Sequence, residues 1–264
     1  MSVPARITVL GRGAAALSLA QGFLHSGAKV VHLETGTQQH GTTALSPALD
    51  EAMGQADLVV VQDFGRLRSS IAEGVVPLLR EGAVFADLTA GTPAAKKNLA
   101  ESCAEGVFVD VAALNEHALP IEPLRLVVAG PGAGRFTEML AGMNVNVEYV
   151  SDVPGDAASR GLLSDLLAKG LAGVVVDCLW AAERMGLQDW GYREILDWFD
   201  TASAETVAGH VSRTAYQVKR QELELLNVAQ MLRDSEYDSP MIAALQFNYG
   251  RILHGTRVPF SRKP

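Results

Sequence analysis

The chain has 264 residues, 48% of them hydrophobic, and a formal net charge of −8. This length can bury a large core and favours two domains, while the acidic balance argues against nucleic acid or an anionic membrane as a main partner. Only two cysteines occur, Cys103 and Cys178, and their separation argues against a disulfide framework or a structural zinc site.

The first predicted elements are a strand, a glycine turn and a helix. Residues 7–10 are an apolar, β-branched run, and apolar residues recur at helical spacing after the glycines. In the Gly-x-Gly-x-x-Ala motif, Gly11 can turn the chain, Gly13 lets a pyrophosphate approach the backbone, and Ala16 keeps the helix close to the sheet. The N-terminus of the helix would direct its free N–H groups at the phosphates. No signal-peptide pattern precedes this strand and no apolar stretch is long enough to span a bilayer, so we expect a cytoplasmic protein.

A second strand over 28–33 closes on Glu34. An acid about 20 residues beyond the glycines is placed to accept hydrogen bonds from the adenosine ribose. Its carboxylate repels a 2′-phosphate and no arginine follows over 35–37, so the pattern predicts NAD or NADP as cofactor, with NAD preferred. The alternative is a glycine-rich turn in some other α/β protein, with Glu34 a solvated charge.

Helices and apolar strands alternate up to residue 150. They are helices over 47–55, 71–79, 94–105 and 135–142 and strands over 56–62, 84–88, 107–112, 124–130 and 145–150. This rhythm predicts an α/β fold with a Rossmann-type, doubly wound, mainly parallel sheet. Strand C-termini line the ligand crevice in such sheets, which adds residues at two strand ends to the glycine motif. The residues predicted to bind the cofactor are Gly11, Arg12, Gly13, Ala14, Ala15, Ala16, Glu34, Gln62, Asp63 and Thr89.

The pattern changes at the turn-rich junction 151–155, where we predict a boundary between an NAD(P)-binding domain, 1–153, and an all-helical C-terminal domain, 154–264. Apolar residues then recur at helical spacing, which predicts a long interdomain helix that Gly186 ends. The predicted helices are 156–185, 190–199, 202–234 and 241–253. The last three are too few to cover both faces of the long helix, so we predict a homodimer.

Three motifs lie at a strand end, within a strand and at the start of the long helix, respectively: Asp87-Leu88-Thr89-Ala90-Gly91-Thr92-Pro93, Phe108-Val109-Asp110-Val111-Ala112 and Gly155-Asp156-Ala157. With the order of elements, they resemble the β-hydroxyacid dehydrogenase and 6-phosphogluconate dehydrogenase superfamily over nearly the whole chain. Segments 168–171, 220–224 and 228–229 are similar to its branch with a short helical C-terminal domain. The resemblance implies NAD(P)-dependent hydride transfer in a homodimer whose C-terminal helices build part of each active site.

Two departures from the family pattern change the expected substrate. The family carries a catalytic lysine six residues after the glycine that opens the long helix and an asparagine four residues later, where this chain has Gly161 and Asp165. Its Ser-Gly-Gly substrate loop is replaced by Leu114-Asn115-Glu116. Both changes remove groups that bind an anion or donate a proton to an alkoxide, so a simple hydroxy acid is not the expected substrate.

The predicted catalytic residues are Asp165, Asn115 and His117. Asp165 lies one helical turn past Gly161, which we expect to leave space beside it, so that the carboxyl group can donate a proton or pair with a cationic substrate. Its alternative is an ordinary pair with Lys169 on a solvated face. Asn115 and His117 follow a strand end, where His117 suits acid–base work; the alternative is a surface-loop histidine.

Two functions remain open. The first is an NAD(P)-dependent oxidoreductase for an imine/amine couple or a neutral alcohol/ketone couple. Hydride transfer to an iminium forms an amine and no alkoxide, so the site needs no proton donor for an alkoxide. A nearby carboxylate stabilises the positive charge of the iminium. Imine reductases of the superfamily can also lack the lysine. The second is a nucleotide-binding protein without hydride transfer, acting as a sensor, a scaffold or a non-redox enzyme.

Overall fold

The computed structural model describes residues 5–34, 47–62, 74–103, 107–114, 125–141, 143 and 145–262. The chain divides into two compact units, Met1–Leu166 and Leu167–Pro264. This division falls inside the long helix, and the first turn of that helix packs into the first unit, where Ala157 and Ala158 are buried. The functional boundary at 153/154 stays a prediction.

The first unit is built on one sheet of seven strands. The strands are β1 (Arg6–Gly11), β2 (Lys29–Leu33), β3 (Leu58–Gln62), β4 (Val84–Asp87), β5 (Phe108–Ala113), β6 (Arg125–Ala129) and β7 (Asn146–Ser151). Their spatial order is β2-β1-β3-β4-β5-β6-β7. The first five are mutually parallel, whereas β5 and β6 pair antiparallel, so that β6 and β7 run the other way. The predicted doubly wound, mainly parallel sheet is confirmed.

Helices cover both faces of this sheet, which explains why its central strands are apolar throughout. Successive residues of β3 alternate between two hydrophobic clusters: Val60 belongs to one, and Val59 and Val61 belong to the other. The covering helices are α1 (Gly13–His25), α2 (Pro47–Gln55), a short 3-10 helix (Val76–Leu78), α3 (Pro93–Glu101), α4 (Ala133–Leu140) and the start of α5 (Asp156–Arg184). The predicted helix over 71–79 lies partly outside the described residues.

The second unit is helical in its described residues. After α5 come α6 (Gln188–Thr201), α7 (Ala204–Tyr216), α8 (Val218–Asp234) and α9 (Pro240–Leu253). The single helix predicted over 202–234 is wrong, because Ser203 caps α7 from outside the helix and the backbone leaves the helical region at Gln217 (φ −119°, ψ 21°). Neither glycine nor proline marks that break. No helix in the part of the chain described here is long and apolar enough to cross a membrane.

A buried carboxylate fixes the start of α9 to α5. Asp177 accepts hydrogen bonds from the hydroxyl groups of Tyr237 (2.6 Å) and Ser239 (2.5 Å). Ser239 also accepts from the backbone N–H of Ile242 at 3.2 Å and so caps α9. The bond to Asp177 raises the pKa of Tyr237 to about 12, because it stabilises the protonated phenol.

Candidate functional site

The glycine turn lies where the strand order reverses. Strand β1 sits between β2 and β3, and open α/β sheets bind their ligands outside the strand ends at such a point. Gly11 and Gln62 are register partners at the ends of β1 and β3. The predicted glycine motif and the predicted strand-end residue are therefore neighbours.

The two glycines divide their roles differently from the prediction. Gly13 turns the chain, with a φ of 79°. Gly11 instead permits close packing: a Cβ there would lie 2.1 Å from the carbonyl oxygen of Gln62 and 2.8 Å from the Cβ of Ala16. Ala16 is fully buried, so its predicted role of holding the helix near the sheet is supported by this contact.

The N-terminus of α1 retains its positive character. Its first turn contains no acidic residue and the Arg12 side chain makes no capping hydrogen bond. Gly13 and Ala14 are exposed there, whereas the side chain of Ala15 lies outside the described residues. An uncompensated helix N-terminus at a glycine turn is suited to an anionic group.

Glu34 is exposed and directly follows β2, next to the end of β1. His32 precedes it by two residues, and its Nε2 atom lies 3.2 Å from the carbonyl oxygen of Gly11, to which the Nε2–H tautomer donates. Sequence reasoning missed this contact with the turn. The alternation of side chains along a strand, which puts His32 and Glu34 on one face, was the available signal.

A cleft gathers side chains from β3, β5, α3, α5 and the loop after β4. It is lined by Gln62, Leu88, Thr89, Ala90, Gly91, Lys96, Val111, Ala112, Ala113, Ala158, Gly161, Leu162 and Asp165. Three predicted site residues thus come together: Gln62, Thr89 and Asp165. Asp63, Asn115 and His117 lie outside the described residues, and their roles stay predictions.

Two of these residues present hydrogen-bond acceptors. Gln62 is only 4% exposed, and its Oε1 atom has no hydrogen-bond partner within the described part of the chain. Thr89 donates its backbone N–H (2.9 Å) and its hydroxyl (2.5 Å) to Oδ1 of Asp87. Because the hydroxyl proton is engaged there, the Thr89 oxygen can offer only lone pairs to a ligand.

A buried ion cluster underlies the cleft and was not predicted. The Lys96 ammonium lies 2.9 Å from Oδ2 of Asp87 and 3.4 Å from Oδ1 of Asp110, and it donates to the carbonyl oxygen of Asp87 at 2.7 Å. Oδ2 of Asp110 accepts the backbone N–H groups of Gly155 and Ala158, each at 2.9 Å, and so caps α5. The position of Lys96 three residues after Pro93 in a predicted helix could have indicated that its side chain faces the sheet. Its partners could not be predicted, because they depend on the register between β4 and β5.

Gly161 lines the same cleft as Asp165, and it also packs closely against the sheet. A Cβ at this position would lie 2.8 Å from the Cβ of Ala112 on β5, so the glycine allows α5 to approach the sheet closely. Asp165 is half-buried one turn later and lines the same cleft, as its predicted role requires. No group of three or more histidine, cysteine or acidic side chains that could hold a metal ion occurs among the residues described.

Solved structures share this fold over nearly their full length. An imine reductase from Streptomyces aurantiacus matches with a TM-score of 0.73 at 16% identity, over 96% of each chain. A variant of an imine reductase from Myxococcus stipitatus, in complex with NAD+, matches with a TM-score of 0.71 at 14% identity, over 97% of this chain and 96% of that chain. A reductive aminase from Aspergillus terreus, in complex with NADPH and ethyl-5-oxohexanoate, matches with a TM-score of 0.71 at 17% identity, over 97% and 96%.

No family model matches the chain, and no curated protein matches it. The structural matches agree with the fold that the sequence resemblance implies: a Rossmann-type sheet followed by a helical C-terminal region.

Proposed function

We propose that this chain is an NAD(P)-dependent oxidoreductase that reduces an imine to an amine at the cleft of the first unit. One observation carries the proposal. Three side-chain acceptors, from Gln62, Thr89 and Asp165, line a cleft that is otherwise mostly apolar and that lies at the strand ends beside the glycine turn. The fold, shared with imine reductases and reductive aminases, supports the same conclusion.

The residues present fit a nicotinamide dinucleotide. The backbone of Gly11 to Gly13 and the N-terminus of α1 would hold the pyrophosphate, and Glu34 would accept hydrogen bonds from the adenosine ribose. The buried Oε1 of Gln62, which has no hydrogen-bond partner among the described residues, would accept a hydrogen bond from a donor at the nicotinamide end. The bound cofactor supplies the hydride. We propose NAD as the preferred form, since the carboxylate of Glu34 repels a 2′-phosphate.

The acceptors favour a substrate that donates hydrogen bonds or carries positive charge. A carboxylate substrate would be repelled by the lone pairs of the Thr89 oxygen and by the negative charge of Asp165, and Gly161 has no side chain that could bind it. A protonated imine is stabilised by the same groups, because a carboxylate beside it lowers the cost of its charge. Asp165 pairs with the positive nitrogen before reduction and accepts a hydrogen bond from the amine afterwards.

Cyclic imines, ketones with amines, neutral ketones and short hydroxy acids should be screened with both cofactors in the matching redox state. We expect imine reduction, and we expect Asp165→Asn to lower kcat by about a hundredfold or more while cofactor affinity is unchanged. Robust turnover of a short hydroxy acid would contradict the amine assignment. Tight cofactor binding without turnover of any substrate would favour the alternative, a nucleotide-binding protein without hydride transfer.

The cofactor preference is tested separately from turnover. Fluorescence titrations should give a lower Kd for NADH than for NADPH, and Glu34→Gln should narrow the difference by removing the charge that opposes the 2′-phosphate. Equal or tighter binding of NADPH by the wild-type protein would show that Glu34 does not select the cofactor.

We also propose a homodimer, formed through apolar surface that includes α5 and α6. Leu163, Leu166 and Leu167 of α5 are 66%, 70% and 65% exposed, and Trp180 and Trp190 are 55% and 56% exposed. Large apolar side chains exposed in this number support a protein interface, and a second copy of the chain offers the same side chains in return. A monodisperse monomer in sedimentation at micromolar concentration would rule out the homodimer.

The free thiols of Cys103 and Cys178 fit the expected cytoplasmic location.

A further inference from the structure

Two buried carboxylates stand side by side beneath the cleft. Asp87 and Asp110 are register partners on β4 and β5, so that their side chains share one face of the sheet. They are 1% and 0% exposed. Like charges in such a position repel strongly, because little water screens them.

The Lys96 ammonium lies between these carboxylates and forms an ion pair with each of them. It is 2.9 Å from Oδ2 of Asp87 and 3.4 Å from Oδ1 of Asp110, and it donates a hydrogen bond to the carbonyl oxygen of Asp87. Lys96 also lines the cleft, so this ion cluster is part of the cleft wall.

The second oxygen of each carboxylate holds a different wall of the cleft. Oδ1 of Asp87 binds the backbone and hydroxyl of Thr89, in the loop after β4. Oδ2 of Asp110 binds the N–H groups of Gly155 and Ala158. Those groups begin α5, the helix that carries Asp165 into the same cleft.

We propose that Lys96 is a positioning residue, whose single ammonium joins the two carboxylates and so sets the separation between the Thr89 loop and the start of α5. The role rests on the proposed function, since it holds Thr89 and Asp165 at the spacing that hydride transfer requires. Displacements of about 1 Å in such a constellation can cost about a hundredfold in rate.

The test replaces Lys96 by methionine, which has a similar length and no charge. Lys97→Met, an exposed neighbour on α3, is the matched control. A second variant, Lys96→Met with Asp110→Asn, keeps one net negative charge in the cluster, as in the wild type, and retains a carbonyl oxygen for the N–H groups of α5. This variant keeps the test open if Lys96→Met alone fails to fold.

Hydrogen–deuterium exchange and steady-state kinetics are measured on all four proteins below their unfolding temperatures. We expect faster exchange in peptides that contain Thr89 and residues 155–158, and a fall in kcat of about tenfold or more at saturating substrate and cofactor, in the Lys96 variants only. A folded Lys96 variant with lowered thermal stability but wild-type kcat would overturn the positioning role. Unchanged exchange at both walls would also overturn it.

These outcomes are separate from a failure of the proposed function. A wild-type protein that binds no nicotinamide dinucleotide overturns the proposed function, and the positioning role falls with it. An active wild type with equally active Lys96 variants overturns the positioning role alone.

Discussion

Replacing Gly11 by alanine should damage cofactor binding through the packing of β1 against β3. The new Cβ would lie 2.1 Å from the carbonyl oxygen of Gln62 and 2.8 Å from the Cβ of Ala16, whereas non-bonded atoms prefer separations of about 3.5–4 Å. Both contacts are with buried residues, so the turn or the strand pair has to move. Overpacking of this kind costs about 1–3 kcal/mol. If half of this cost, about 0.5–1.5 kcal/mol, falls on the binding-competent turn, affinity for the cofactor drops about two- to twelvefold, since 1.4 kcal/mol is a factor of ten.

The assay is a fluorescence titration with NADH and NADPH, accompanied by urea unfolding. Gly22→Ala is the matched control, because position 22 lies within the same helix α1 and a Cβ there meets no atom of the described residues within 4 Å. This control should bind the cofactor normally and gain about 0.5–1 kcal/mol of stability, as alanine does over glycine in a helix. Wild-type affinity in Gly11→Ala would refute the argument that close packing at this residue shapes the binding turn.

Two further predictions concern the helical region. Tyr237→Phe removes a hydrogen bond to Asp177 and should lower the free energy of unfolding by about 1–3 kcal/mol in urea, with exposed Tyr192→Phe unchanged. The pKa of Tyr237 is raised from 10.0 to about 12, so this stabilisation is complete below pH 10 and is lost as pH rises through about 12. The absorbance titration of the tyrosines should contain a component near pH 12 that Asp177→Asn moves back towards 10.0. Leu166→Glu should convert a dimer into monomers in sedimentation at micromolar concentration, while Leu24→Glu, at a leucine 58% exposed on α1, should not.

The fold could be predicted because its signals are local. Apolar runs that alternate with helical spacing identify the strands and helices of the first unit, and Pro93 and Gly186 mark helix ends that the structure reproduces, with Gly186 at a φ of 69°. The break at Gln217 carried no such signal. Val218, the first residue of α8, is buried directly after the break, and such burial depends on packing that the sequence does not display.

The candidate site was predictable where its residues follow a strand end or, for Asp165, where helical spacing and the family pattern mark a position. Gln62 and Thr89 could be found because strand C-termini line the crevice of an open α/β sheet. Lys96 could not, since its role follows from the register that makes Asp87 and Asp110 neighbours. The contact of His32 with the glycine turn depends on register as well, through the pairing of β1 with β2.

Gly161 has a packing role of its own, because strand β5 lies directly against it. A Cβ there would lie 2.8 Å from the Cβ of Ala112, so Gly161→Ala should push the cleft-facing part of α5 from the sheet and lower imine turnover about tenfold. Ala112→Gly in the same protein should restore the turnover by removing the facing methyl group. Gly173→Ala, farther along α5, meets nothing within 4 Å and serves as the control. Gly161→Lys alone should not create hydroxy acid activity, for the same steric reason. Full activity in Gly161→Ala would mean that close packing of α5 on β5 does not govern the cleft.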